Sequence, residues 1–207
     1  MKTINQSIEV LTPIDGEYIL KFIEKCGRTC YKSEDKITTD SAEKFVRGLI
    51  KRGHESVLEH FNITVKVITN RGVSHEIVRH RIGAYSQEST RYVSYKDGIE
   101  VIAQPGIEDN YEAGQCWLEA MMDAEDHYRE LITLGVKPEI ARDVLPNALK
   151  TEIVITYNLR QWRHFIKQRS SKAAHPQIRQ LAFMILEKFQ REIPVIFDDI
   201  GGRTNEP

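Results

Sequence analysis

Apolar positions at Ile19, Phe22, Ile23 and Cys26 recur at helical intervals, which predicts a helix closed by Gly27. Thr39, Asp40 and Ser41 offer N-caps to a second helix that carries Phe45, Val46, Leu49 and Ile50 and stops at Gly53. Over residues 61–67 the period changes to two: Phe61, Ile63, Val65 and Val67 alternate with Asn62, Thr64 and Lys66, the pattern of a strand with one wet face. Val73, Ile77 and Val78 predict a short helix running into Arg79-His80-Arg81 and ending near Gly83. Residues 111–134 contain no proline and one glycine, Gly114, and read as a long acidic surface helix. Pro138 opens a short helix through Val144 that Pro146 ends. Residues 152–157 predict a second strand, Trp162 to Ile166 begin a helix, and a last helix over about residues 176–191 puts Leu181, Ile185 and Phe189 on one face. Strands and helices do not alternate regularly, so the expected class is α+β rather than a doubly wound parallel sheet. Residues 1–200 are expected to form a single domain, and residues 201–207, beginning Gly201-Gly202, a flexible tail.

Composition narrows the function classes. Hydrophobic residues make up 41% and charged residues 29% of the 207, which excludes a mostly disordered chain, a collagen and a membrane bundle. The longest apolar runs, such as Ile153-Val154-Ile155, fall well short of the roughly 20 residues of a membrane helix. Residues 1–9 lack a charged stretch followed by an apolar one, and a cytoplasmic location is expected. Cys26, Cys30 and Cys116 form neither a disulfide framework nor a CxxC pair and are expected as buried or incidental thiols, Cys116 as a packed one.

A net charge of -1 gives no hint of nucleic-acid or membrane partners, but its distribution is uneven. Residues 100–130 hold nine acidic side chains against one basic, Arg129, whereas residues 142–179 hold eight basic against two acidic. A second arginine group comprises Arg71, Arg79, Arg81 and Arg91. Guanidinium groups suit bidentate contacts to phosphate or carboxylate, so a polyanionic small ligand is one reading and pairing with the acidic segment is the other.

Familiar catalytic strings are absent. His75 and His80 lie five apart, one too many for the HExxH zinc spacing, and about 140° apart around a helix, so no metal site is expected. Ser86 and Ser89 lack a GxSxG elbow, and no GxxxxGK[ST] or GxGxxG phosphate loop occurs. What remains is residues 79–92, RHRIGAYSQESTRY, where three arginines, a histidine, hydroxyls, a Gln and a Glu crowd fourteen positions. Consecutive Arg79, His80 and Arg81 project in different directions, Gly83 lets the chain turn, and residues 87–91 offer amide, hydroxyl and guanidinium donors suited to a base and a phosphate. A salt-bridged surface turn is the alternative.

The run from Arg79 to Ser89, followed by Arg91 and Tyr92, resembles the RHR-x7-S signature of the flavin-dependent thymidylate synthases. GHESVLEH at 53–60 is similar to the family's GHxSxxEH segment, Arg28-Thr29-Cys30-Tyr31 to its ARxSy turn, and Asn158-Leu159-Arg160 with Arg169 to its late arginine elements. The resemblance implies an α+β fold with an antiparallel or mixed sheet and flanking helices. It implies methylation of dUMP to dTMP, with methylenetetrahydrofolate as carbon donor and NADPH-reduced FAD as hydride relay, in a homotetramer. Carried over by position, it implies that Ser56, Arg79, His80, Arg81, Gln87, Asn158, Leu159, Arg160 and His164 contact FAD. Glu76, Ile77, Val78, Arg79, Gln87, Glu88, Ser89, Thr90, Arg91, Arg142 and Arg169 are implied for dUMP, with Ser89 and Arg91 at the phosphate and Arg169 catalytic, polarising the uracil ring. Glu76 stands where some members have Gln, Ser86 where some have Asn, Gln87 where some have Glu, and Cys30 where Ser is common.

Overall fold

A computed structural model describes residues 1–201; residues 202–207, most of the expected tail, lie outside the described residues. The elements in chain order are β1 (Lys2–Thr3), β2 (Ser7–Val10), α1 (Gly16–Arg28), α2 (Ser41–Lys51), β3 (Asn62–Asn70), α3 (Arg71–Ile77), β4 (Ala84–Gln87), β5 (Glu100–Val101), α4 (Tyr111–Thr133), α5 (Pro138–Ala141), β6 (Lys150–Asn158), α6 (Leu159–Arg169), α7 (Pro176–Glu192) and α8 (Pro194–Phe197). A four-stranded sheet has the order β2-β3-β6-β4, and a small second sheet pairs β1 with β5 in parallel. The fold is α+β with helices beside its sheets, the class the patterns predicted.

The long strands follow their sequences. Along β3 the side chains of Ile63, Val65, Val67 and Thr69 are buried while Thr64, Lys66 and Ile68 are not; along β6 Thr151, Ile153, Ile155 and Tyr157 are buried between Lys150, Glu152, Val154 and Thr156. Both strands are longer than their predicted spans, because polar residues at their ends continue the ladder without adding to the apolar signal.

Contact clustering divides the chain into two compact units. One comprises Met1–Ile8, Lys66–Arg81 and Tyr85–Val154. It contains an apolar cluster of Ile99, Val101, Met121 and Leu149, with Tyr95 and Trp117 packed against it. The other comprises Glu9–Val65, Ile82–Ala84 and Ile155–Pro207, of which residues 202–207 are not described. Its core centres on Trp162, whose ring lies 4.6 Å from that of Tyr157, 5.8 Å from Phe165 and 5.5 Å from Phe189.

Four expectations need correction. Helix α1 does not stop at Gly27 but continues through it to Arg28; a Cβ at Gly27 would stand 2.7 Å from the Phe45 ring, so the glycine serves close packing of α1 on α2. Arg79-His80-Arg81 is not helical: α3 ends at Ile77, and tight N–H bonds from Arg79 to the Glu76 carbonyl and from His80 to the Ile77 carbonyl turn the chain out of it. Cys116 is exposed rather than packed, because α4 buries Met121, Glu125 and Tyr128 on another face; Cys30 is exposed too. The alternative that the arginines pair with residues 100–130 does not hold for Arg160, which pairs with Glu59, or for Arg163, which pairs with Glu55 and Asp199, while Glu125 takes the Met1 ammonium and Glu100 takes Lys2. Among the described residues no helix is long and apolar enough to cross a membrane.

Candidate functional site

In the unit containing residues 66–81 and 85–154, Asn70 starts the site by capping α3, its Oδ1 accepting from the Val73 N–H at 2.8 Å. That places Arg71 at the first helical position and Glu76, Ile77 and Val78 at the exit. Ile77 is fully buried, so its side chain belongs to the core and only its backbone faces the turn. In that turn Arg79 and Arg81 are exposed and His80 is buried. The Tyr85 hydroxyl donates to the carbonyls of both Ile77 and His80, closing the turn onto β4.

β4 delivers residues 87–91. The Gln87 amide nitrogen donates to Ser74 Oγ at 2.9 Å and Thr151 Oγ1 at 3.1 Å. Both its N–H groups are then engaged, and what Gln87 can offer a ligand is its carbonyl oxygen, an acceptor as a Glu would be. Ser89 Oγ accepts the Arg91 N–H at 3.3 Å. Thr90 is buried and its hydroxyl accepts from Arg142 Nη1 at 3.2 Å. Arg91 lies over the Tyr92 ring at 5.5 Å and 4.0 Å from Glu139. Arg71, Thr90, Arg142, Asp143 and Asn147 thus line a pocket of about 280 Å³. Two guanidinium groups, a hydroxyl and an amide around one hollow are donors suited to an anion, against the single carboxylate of Asp143.

In the same unit, Lys66, Ser86, Gln87, Glu88, Lys150 and Glu152 line a wider hollow of about 540 Å³. Lys150 Nζ donates to Glu152 at 2.7 Å and to Glu88 at 3.2 Å, and Lys66 pairs with Glu152 at 2.5 Å. Burial of the Lys150 ammonium works against its charge, yet the hydrogen bond to Glu152 and the Glu88 carboxylate prevail and hold its pKa above the usual lysine value. Hydrogen bonds from Lys150 and then Lys66 hold the Glu152 carboxyl below its usual value. Tyr95, half-buried and donating to Glu88 at 2.8 Å, has its phenol pushed well above 10, first by burial and then by that bond. Glu88 stood among the residues implied for dUMP; Arg71, Lys66, Lys150 and Glu152 did not. The i, i+2 spacing of Lys150 and Glu152 along a strand was their signal, but a wet strand face commonly carries such charges for solubility.

In the other unit, Asn158 caps α6 by accepting the Gln161 N–H at 2.8 Å. Leu159, the first helical residue, is fully buried and donates its N–H to the Phe61 carbonyl, so its side chain is a core element. Arg160 is exposed and 2.6 Å from Glu59; His164 and Ser56 are exposed, Ser56 in a 3₁₀ segment over Glu55–His60. A pocket of about 490 Å³ is lined here by Glu55, Ile82, Asn158, Arg160, His164 and Lys167. Its cationic groups and the positive end of an 11-residue helix suit a diphosphate-bearing ligand. Arg169 is the last residue of α6 and partly exposed. Arg28 of the early turn is engaged by Glu24 at 2.7 Å and lies 4.4 Å over the Phe45 ring.

Arg163 holds this pocket's floor. It is buried, donates to the Ile196 carbonyl, and pairs with Asp199 at 2.6 Å and with Glu55 at 3.1 Å. Arg163→Met is expected to lower stability by about 2 kcal/mol at neutral pH, since it strands two carboxylates and a carbonyl. The hydrogen bond from Arg163 holds the Asp199 carboxyl below its usual 3.8. The stabilisation is therefore complete above that value and is lost as pH falls through the lowered native one. Urea unfolding at pH 7 and at pH 3 reads this directly: the gap between wild type and variant narrows in acid.

The family model described as Thymidylate synthase complementing protein matches residues 17–195. A flavin-dependent thymidylate synthase of Mycolicibacterium vanbaalenii is 40% identical over 206 residues, covering 91% of this chain and 81% of the relative. One from Mycobacterium tuberculosis is 37% identical over 211 residues, covering 93% of this chain and 83% of the relative. The chain belongs to the flavin-dependent thymidylate synthase family. It is thus an enzyme of that family. Among solved structures, the UMP/dUMP methylase PolB from Streptomyces cacaoi, bound with 5-Br dUMP, shares the fold with a TM-score of 0.79 at 22% identity, covering 96% of each chain.

Proposed function

We propose that this enzyme methylates dUMP to dTMP, with FAD as resident cofactor, methylenetetrahydrofolate as carbon donor and NADPH as reductant, as a cytoplasmic homotetramer. The single observation that carries the reading is the hollow in which Arg71, Arg142 and Thr90 converge beside residues 89–91, a donor set suited to a nucleotide monophosphate. Family membership and the dUMP-methylating activity in PolB's name support the choice of nucleotide.

In this reading Thr90, Arg71, Arg91 and Arg142 bind the phosphate. Ser89 positions the nucleotide through its turn, since its hydroxyl already accepts from the Arg91 N–H and no base activates it as a nucleophile. Gln87 presents an acceptor to an imide N–H. Of the remaining residues implied for dUMP, Glu76, Ile77, Val78 and Arg79 frame the α3 exit, and Glu88 is held by Tyr95 and Lys150. Asn158, Arg160 and His164, with Ser56 at the neighbouring 3₁₀ segment and Lys167, suit the diphosphate of FAD, and in the other unit Arg79 and Arg81 carry exposed guanidinium groups. When bound, the flavin supplies the hydride that no side chain can. Arg169 stabilises the negative charge that develops on the uracil carbonyls as the ring is reduced.

The purified protein is expected to be yellow, or to become so with added FAD, and to form dTMP from dUMP only when methylenetetrahydrofolate and NADPH are both present. A colourless protein that binds no flavin, or a flavoprotein that oxidises NADPH without forming dTMP, overturns the assignment.

A further inference from the structure

Glu88 poses an electrostatic problem. It lines the wider hollow two residues before Thr90 of the anion pocket, and its carbonyl accepts from that pocket's Arg71, so a carboxylate on this segment repels a phosphate dianion bound there. Both its oxygens are engaged: Oε1 accepts from the Tyr95 hydroxyl at 2.8 Å and Oε2 from Lys150 Nζ at 3.2 Å. Its backbone is pinned as well, the N–H donating to the Glu152 carbonyl at 2.9 Å and the carbonyl accepting from Arg71 at 3.5 Å. Lys66, Lys150, Glu88 and Glu152 form a chain of alternating charges that sums to zero. The Lys150 and Glu88 side chains are only 16% and 15% exposed, so water does little of the screening.

We propose that Lys150 is a positioning residue for the nucleotide phosphate: it neutralises Glu88 and anchors residues 88–91, so that a segment carrying its own carboxylate can still take an anion. The proposal rests on the reading of that segment as a dUMP site. Lys150 touches no ligand in this scheme and acts through Glu88. Without it the ladder keeps two carboxylates against Lys66 alone, a net negative charge on the segment that leads to the phosphate, and Glu88 keeps only the Tyr95 hydroxyl as a partner.

The test is a double-mutant cycle on the FAD-loaded enzyme, with KM and kcat for dUMP and the dUMP dissociation constant by calorimetry. Lys150→Met is expected to raise KM and Kd by at least ~10-fold while kcat stays within ~3-fold. Lys150→Arg, which keeps the charge, is expected to recover most of the affinity. In the Glu88→Gln background the same Lys150→Met change is expected to cost less than ~3-fold, because the charge it balances is gone. A merely structural lysine loses the same factor in both backgrounds, and that result overturns the proposal, as does an unchanged KM in Lys150→Met. If Lys150→Met does not fold, Lys150→Gln in both backgrounds carries the same comparison. A wild-type enzyme that binds no dUMP overturns the dUMP reading itself; one that binds it without background-dependent loss overturns only the role of Lys150.

Discussion

Arg169→Ala is expected to form dTMP at least ~100-fold more slowly than the wild type while still binding FAD. Reduction of the uracil ring pushes negative charge onto its carbonyl oxygens, and a preorganised guanidinium is worth more against that charge than against the neutral ground state. Arg169 is well placed to stay preorganised. It closes the 11-residue helix α6, where the negative end of the helix dipole favours a cation, and its rigid fork orients donors better than a flexible ammonium. The loss should fall on kcat rather than on flavin content. Single-turnover dTMP formation and the visible flavin spectrum of the same sample separate the two, and Arg169→Lys should recover part of the rate. Turnover within ~3-fold of wild type in the alanine variant removes Arg169 from the reaction.

Gly83→Ala is expected to destabilise the protein by about 2–3 kcal/mol, the scale of forced overpacking, and to lower Tm by roughly 4–12 °C. A Cβ at Gly83 would enter the ring of Tyr157 and stand 3.1 Å from the Thr156 carbonyl oxygen. Neither can retreat. Thr156 is part of strand β6, and Tyr157 is buried with its ring 4.6 Å from Trp162 and 6.0 Å from Phe165. The chain at residues 82–84 must then lift away, and with it the direct continuation of Arg79-His80-Arg81 into β4. Differential scanning calorimetry with and without FAD reads both losses: the variant melts lower, and added FAD restores less of the difference than it adds to the wild type. An unchanged Tm means that the turn has room the packing does not suggest.

The legibility of the chain follows its physics. The helices at 111–133 and 176–192 and the strands through 63–67 and 152–157 could be read because each buries a regular set of side chains on one face, and a period of 3.6 or 2 survives in sequence as an alternation. β1, β4 and β5 could not, because two to four residues are too short to show a period and take their partners from distant segments. Gly27 misled for the same reason: its meaning lies in a ring from another helix, not in its own backbone.

At the candidate site the sequence by itself determined the chemistry on offer: an arginine-rich, hydroxyl-rich signature segment, a late Asn-Leu-Arg, and the family to which they belong. Covalent neighbours and their functional groups are local facts, and a specific motif preserves them. Only the tertiary structure decided how those groups are used. It turned His80 inward and left Arg79 and Arg81 outside, gave Arg71 and Arg142 one shared hollow, spent both Gln87 N–H groups on Ser74 and Thr151, and balanced Glu88 against a lysine 62 residues away. Charge compensation and hydrogen-bond satisfaction act through space at about 3 Å, and a linear sequence carries no record of which distant residues a fold brings within that reach.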